Sequence, residues 1–394
     1  MTSKHILLIS RCPPYPLHLG DRLIIWHLAR ELSQRGYRID LIAYAQFASD
    51  YDETHEYAAY FNGITLIDEP KRGIAQYLQR ALLPHTRFPK DATGAWSSAM
   101  WQAITAHLAQ NTYDLVHLFG GIQVYEFANA LHGYPIIITP YESFSLYLQR
   151  AVEQEGGLST RINHFVAQWF ERWMFTPYDA VVVLTDKDKA ELVRLNPHLN
   201  VQVIPNGIDL EFFIAQDAVR APNTLLFVGN YEYPPNLDAA LVLAQTIFPQ
   251  VQAQMPDAHL QLVGNAPPSE LQVLASESIT VTGRVPDVRP YLAQAGVFVC
   301  PLRVGAGIKN KVLEALAMAC PTVATPLSVD GIAVEHEESA LIASIDTMPQ
   351  HVIRLMQQRD LAQKLGQAGR QLIETKYSWS GVAEAYIALY EKHS

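Results

Sequence analysis

Between Gly305 and Thr325 the chain runs GAGIKNKVLEALAMACPTVAT. Glycines at 305 and 307 let backbone amides approach a ligand with no Cβ in the way. A helical pattern follows, and the first turn of a helix carries unbonded N–H groups at the positive end of its dipole. Lys309 and Lys311 add point charge at that spot, and Arg303 stands just upstream. Together these residues make an anion site. Glu314 follows Lys311 by three positions, so the two share a helix face. Its carboxylate can accept two hydroxyl donors, such as those of a ribose. The plainer reading is a Lys–Glu pair on a surface helix, worth about 0.2–0.5 kcal/mol. Ile308, Val312, Leu316 and Ala319 form the stripe expected to be buried.

Three further places carry chemical residue types. Gly20 lies between the first apolar run and the first helical pattern, where an amide can face a ligand, and Asp21 follows it as either a helix cap or a ligand-binding carboxylate. His117, in YDLVHLFGG, sits near the end of an apolar strand, where active residues collect in parallel sheets, although a satisfied core histidine fits the same position. Glu142, in TPYESFSL, holds the equivalent place on the next strand, and a cap or a partner for Arg150 is the alternative. Trp96, Trp101, Tyr141 and Phe144 are aromatic enough to line a groove, but such residues are more often core. There is no H-x-x-x-H pair, no Walker sequence and no G-x-S-x-G, so no metal is expected. GAGIKNK follows G-x-G-x-x-G only in part, which supports dinucleotide binding weakly.

These residues need elements to position them. The chain has 394 residues, 49% of them hydrophobic, enough to build two cores. Only 17% are charged, which argues against disorder. A net charge of −10 argues against a general nucleic-acid binder, which needs a basic face. The three cysteines, Cys12, Cys300 and Cys320, are far apart and odd in number, as in a reducing compartment. MTSKHILLISRCPPYP has too short an apolar run for a signal peptide and fits a first buried strand. No stretch approaches the ~20 apolar residues of a membrane span. A soluble, cytoplasmic protein is expected, with a peripheral contact at the inner membrane surface left open.

HILLIS, a helical stretch closing at Gly36, and YRIDLIAY form a βαβ unit. DLVHLF, PIIITP and DAVVVLT repeat the pattern of a buried strand. After VQVIPNGID it restarts with TLLFVGN, HLQLVGN, ITVTGRV, GVFVCPL and PTVAT, with helical stretches between. Apolar runs that do not alternate, interleaved with helices, mean parallel sheets covered on both faces. The boundaries expected are 1–200, joined by a terminal helix at 378–394, and 201–377.

With these segments in hand, the chain resembles a retaining glycosyltransferase of the GT-B fold, within family 4 (group 1 glycosyltransferases). VIPNGID resembles the family's interdomain P-N-G-(I/V)-D, VTGRVPDVRPYLAQAGVFVCPL its G-x-V-x-D segment, and GAGIKNKVLEALAMACPTVAT its signature helix. PYPLHLGDRLIIWHLARELSQRG and PPNLDAA are similar to a bacterial branch linked to exopolysaccharide synthesis. The resemblance implies α/β architecture, with two Rossmann-like doubly wound parallel-sheet domains facing a cleft. It implies an acceptor-binding first domain and a second that binds a nucleotide-diphosphate sugar of UDP or GDP type, without a cofactor. The acceptor would be a glycan, a lipid-linked or a small molecule. By resemblance, Glu314 binds the ribose hydroxyls. The backbone at Arg284 and Val285 touches the base. Gly20 and the turn at Gly307 and Ile308 offer amides to the diphosphate and sugar. His117 lies near the transferred sugar. Asp21 and Glu142 are the acceptor-side candidates. The sequence departs from the family at Ala306, where the first glutamate of E-x7-E is usual, and at Asn230 and Asn236, where an arginine and a lysine are usual. Arg303, Lys309 and Lys311 are the cations left to hold a diphosphate. A nucleotide-sugar 2-epimerase of the same fold, and a homologue that binds without turnover, are the alternatives.

Overall fold

The computed structural model describes residues 4–17, 20–82, 84–214, 219–305 and 307–394. Ala306 lies outside the described residues. The chain divides into two compact units, Met1–Asn206 with Trp379–Ser394, and Gly207–Ser378.

The first unit is built on β1 (His5–Ser10), β2 (Arg38–Ala45), β3 (Gly63–Asp68), β4 (Leu115–Phe119), β5 (Ile136–Tyr141), β6 (Ala180–Val183) and β7 (Val201–Val203). Their order is β3-β2-β1-β4-β5-β6-β7, and each pair is parallel. Every residue of β1, β4 and β6 is buried, which is why these runs are apolar without alternation. The sequence reading placed Val201 at the head of the second domain. The structure places it in the first, because Val201–Val203 pairs with β6 in the register Val181↔Val201 and Val183↔Val203. The terminal helix Trp379–His393 returns to this unit and packs on helix Gly20–Gln34, burying Tyr386 and Tyr390.

The second unit holds β8 (Ala221–Val228), β9 (His259–Val263), β10 (Ile279–Val281), β11 (Ala295–Cys300), β12 (Thr322–Ala324) and β13 (Leu341–Ile342). The order is β10-β9-β8-β11-β12-β13, again all parallel. Both sheets therefore start at a central strand, wind outward one way, and resume on its other side. That is the Rossmann arrangement, and it opens a crevice at the carboxyl ends of the two strands where the winding reverses. The helical stretch predicted after β8 spans Pro234–Gln254, with a wider π turn at Leu243–Ile247. Pro249 accounts for that turn, since its ring has no N–H for the preceding helical turn and needs room there.

Candidate functional site

The reversal point of the second sheet lies between β8 and β11, and the loops after those strands carry the charged candidates. Gly305 has φ 126° and Gly307 φ 65°, both in the left-handed region where a side chain would be strained. This turn leads into helix Asn310–Ala317, headed by Lys309 in an extended conformation with no side-chain cap. Ile308 is buried and anchors the turn, and Val312 and Leu316 are buried on the helix as expected. Ala319 is not on that stripe: the helix has ended, and its φ is 51°.

Lys311 is half-buried and its Nζ donates to Asn236 Oδ1 at 2.6 Å, 5.6 Å from the centre of the Phe227 ring. Loss of hydration pulls its ammonium below the usual lysine range, with Cys300 and Glu314 acting the other way. Glu314, one turn along, is half-buried too. Lost hydration pushes its carboxyl up to about 7, and the nearby Lys311 charge offsets only part of that. No hydrogen bond reaches that carboxyl among the described residues. It is an acceptor short of donors, in a place that water solvates poorly.

The β8 side of the crevice carries amides and one carboxylate, Glu232, whose Oε2 accepts from Asn265 Nδ2 at 3.4 Å. Asn236 Nδ2 donates to Asn230 O at 2.8 Å, and Asn265 Nδ2 donates to Asn230 Oδ1 at 3.2 Å. Asn265 was not among the candidates, yet a signal was present: Val-Gly-Asn closes both β8 and β9, and the register Val228↔Val263 sets the two asparagines side by side. Gly264 permits this closeness. A Cβ there would meet Gly229 O at 1.7 Å. Arg284 and Val285 follow Gly283 beyond β10, one strand further out, with Arg284 exposed and Val285 half-buried.

Two of the three expected cations are engaged within the unit. Arg303 forms an ion pair with Asp238, its Nε 3.0 Å from Oδ2. Lys309 Nζ donates to Gly307 O and so braces the turn. Lys311, by contrast, reaches across to the β8 loop side and spends its bond on a neutral amide oxygen.

In the first unit the reversal lies between β1 and β4. Gly20 heads helix Gly20–Gln34. Asp21 Oδ2 accepts from Arg11 Nε at 3.0 Å and Nη2 at 2.8 Å, and from Cys12 Sγ at 3.4 Å. Burial alone would raise the Asp21 carboxyl, but Arg11 outweighs it and holds it below the usual carboxylate range. Arg11 also lies over the Tyr141 ring, 5.3 Å from its centre, and Tyr141 has a φ of 74°. Glu142 follows it, half-buried, before helix Phe144–Glu155.

His117 departs from the expected role. It is the third of five residues in β4 and wholly buried. Nδ1 lies 2.7 Å from Tyr390 Oη and Nε2 2.8 Å from Thr139 Oγ1, so both nitrogens are occupied by the protein. Burial drops its pKa to about 3, which keeps the ring neutral. Its place is a core bolt between the sheet and the terminal helix, not a contact to a sugar.

Comparison with known proteins agrees with this fold. Residues 23–212 match the family described as Glycosyltransferase Family 4, and residues 222–358 the family described as Glycosyl transferases group 1. The chain is 27% identical over 303 residues to alpha-maltose-1-phosphate synthase of Mycolicibacterium smegmatis, covering 68% of this chain and 75% of that one. Among solved structures, sucrose-phosphate synthase from Thermosynechococcus elongatus superposes with a TM-score of 0.76 at 19% identity, over 99% of this chain and 98% of that one. Anabaena HepE, solved in complex with UDP and glucose, gives a TM-score of 0.68 at 11% identity, over 99% of this chain and all (100%) of that one. The fold is that of the GT-B glycosyltransferases, and the chain carries a Glycosyltransferase Family 4 domain followed by a group 1 glycosyl transferase domain.

Proposed function

We propose that this glycosyltransferase moves a sugar from a nucleotide-diphosphate donor, of UDP or GDP type, to a glycan, lipid-linked or small-molecule acceptor with retention at the anomeric carbon. The donor sits on the second unit and the acceptor on the first. The observation that carries the reading is that Lys311 and Glu314 stand one turn apart on the helix that follows Gly305 and Gly307, at the reversal point of the sheet. The Glu314 carboxyl takes the ribose hydroxyls. The Lys311 ammonium and the positive end of the helix dipole at Asn310 take the diphosphate. Arg284 and Val285 border the base, and Gly20 adds an amide on the sugar side.

In the reaction the bond from the anomeric carbon to the diphosphate oxygen breaks, and the acceptor oxygen bonds to the same face. The acceptor proton passes to the departing diphosphate oxygen. Such a step asks for fixed positive charge at the leaving group more than for a protein base. Lys311 and the helix dipole supply that charge, so turnover is proposed to need no metal ion. A role in bacterial exopolysaccharide synthesis at the cytoplasmic side of the membrane fits the resemblance of the first helix region.

A thermal-shift panel of UDP, GDP and ADP and their sugars, with Mg²⁺ and with EDTA, tests this. A ligand that binds only the folded state raises its stability with occupancy. One nucleotide series is expected to stabilise the protein equally in both buffers, and the Glu314→Ala protein is expected to lose the shift. No shift with any nucleotide would overturn the donor assignment.

A further inference from the structure

Four large apolar side chains stand in solvent along helix Leu158–Met174: Leu158, Ile162, Phe165 and Trp169. Their spacing of four, three and four residues keeps them within about 60° of one helix face. Leu158 is 76% exposed and Phe165 63%. Helix Ile74–Leu82 packs against this helix, and Trp169 Nε1 donates to Leu82 O at 3.0 Å. It too turns apolar residues outward, namely Ile74, Tyr77, Leu78 and Leu82, with Ile74 82% exposed. An exposed apolar field of this size on a folded unit marks a contact surface.

The charge around the field points to what it contacts. From Lys71 to Lys90 the chain has five basic residues and no acidic one: Lys71, Arg72, Arg80, Arg87 and Lys90. Helix Leu158–Met174 adds Arg161 and Arg172, both exposed, and its single acidic residue, Glu171, is buried. Arg80 is committed to Glu126 at 2.9 Å, and Arg72 lies over Trp96. That leaves Lys71, Arg87, Lys90, Arg161 and Arg172 exposed in a chain whose net charge is −10. Aromatic and aliphatic side chains standing out among five exposed cations, with carboxylates at the two ends of the basic stretch (Glu69, Asp91) and at Glu153, suit the headgroup region of an anionic bilayer. A second protein surface would want hydrogen-bonding partners and balanced charge at its rim.

We propose that this face of the first unit is a peripheral docking surface for membranes rich in anionic phospholipid. The apolar side chains enter the interface and the cations engage the headgroups. This goes beyond the donor assignment and does not depend on it.

The test is sedimentation of the full chain with vesicles of phosphatidylcholine alone and of phosphatidylcholine with 40 mol% phosphatidylglycerol, none carrying a sugar. Co-sedimentation is expected with the anionic vesicles, and raised salt should weaken it. Ile162→Ser with Phe165→Ser should reduce binding at least tenfold, and Arg87→Ser with Lys90→Ser severalfold. All four positions are exposed, so melting temperatures should stay near wild type; Ile74→Ser serves as a second apolar probe if one pair does not fold. Failure of the folded wild type to bind anionic vesicles would overturn the proposal. So would a wild-type dimer by light scattering that Phe165→Ser turns into a monomer, which would make the face an interface between copies. Nucleotide-induced stabilisation of the wild type and the variants, read in parallel, keeps a failed donor assignment distinguishable from a failed docking surface.

Discussion

The two sheets reverse direction in the same way, yet their reversal points are filled differently. In the first unit the charged candidate at that point, Asp21, is matched inside the protein. Arg11 closes on Asp21, and behind them His117 is held between Tyr390 and Thr139. In the second unit Lys311 leans on a neutral amide and Glu314 is starved of hydration. Matched charges stabilise a fold, whereas under-solvated charges hold interaction strength in reserve for a ligand. The difference favours the second reversal point for the nucleotide-diphosphate donor we propose, although both have the topology for one.

The largest effect that can break this comparison lies at Glu314 and Lys311. Glu314→Ala removes an acceptor for two hydroxyls and should weaken donor binding roughly 100-fold, or about 3 kcal/mol. Lys311→Ala should lower kcat/KM by a similar factor, because its charge acts on the leaving group. Isothermal titration and initial rates measure both. Wild-type affinity in Glu314→Ala would return the helix to the plain surface reading.

Next in size is His117. Its removal leaves a cavity and strips partners from the buried hydroxyls of Tyr390 and Thr139. His117→Ala is expected to cost about 2–4 kcal/mol of stability, seen as a lower melting temperature. Nucleotide affinity should be unchanged at a temperature where the variant is folded. Weaker nucleotide binding with unchanged melting would restore the sequence expectation for this residue.

That expectation shows what one sequence can and cannot disclose. The strands were legible because both faces of each central strand are covered, so the apolar runs are continuous. The turn and the helix after it were legible because glycines, lysines and a helical pattern are contiguous. His117 misled because it is near the end of an apolar run, while the crevice begins past Phe119, at Gly120. Its partner Tyr390 lies 273 residues away, a distance that hydrophobic period does not bridge. The same holds for Arg303, which seemed a spare cation until Asp238, 65 residues earlier, folded beside it. The boundary was drawn at 201, ahead of short strand Val201–Val203, because three residues hold too little pattern to reveal their neighbour. The Asn230–Asn265 contact was hidden for another reason. The repeated Val-Gly-Asn was visible, but its meaning needs the strand order.

A smaller effect follows from Glu314's titration. Burial raises its folded-state pKa to about 7 from an ordinary 4.5, so the folded protein binds the proton more tightly than the unfolded chain. The sign then follows: this group's contribution makes stability fall as pH rises between those values, and a bound donor offsets that cost. Ribose hydroxyls prefer the ionised carboxylate. Donor affinity should therefore rise about fivefold or more from pH 6 to pH 8, an effect capped by the carboxyl's shift in pKa. The Glu314→Gln protein should lack this rise, and the difference between the two proteins isolates the carboxyl from other titrating groups. A flat wild-type profile would mean that the protonation of Glu314 is not linked to the donor.

The smallest effect sharpens the contrast between matched and unmatched charge within the second unit itself. Arg303 and Lys311 flank the same glycine turn, and by sequence both qualify as diphosphate cations. The structure gives Arg303 a carboxylate and raises its pKa through the hydrogen bonds to Asp238, while Lys311 is destabilised in its charged form. A guanidinium already bonded to a carboxylate, with half of its side chain in solvent, adds little field at the turn, since exposed pairs contribute about 0–1 kcal/mol. Arg303→Ala should change donor affinity by less than about threefold, well below Lys311→Ala. Asp238→Ala frees the guanidinium and is expected to hold or slightly tighten donor binding. If Arg303→Ala instead matched Lys311→Ala, the Asp238 pair would have to open on binding. The line between structural and ligand-binding charge would then be drawn by the donor, not by the resting fold.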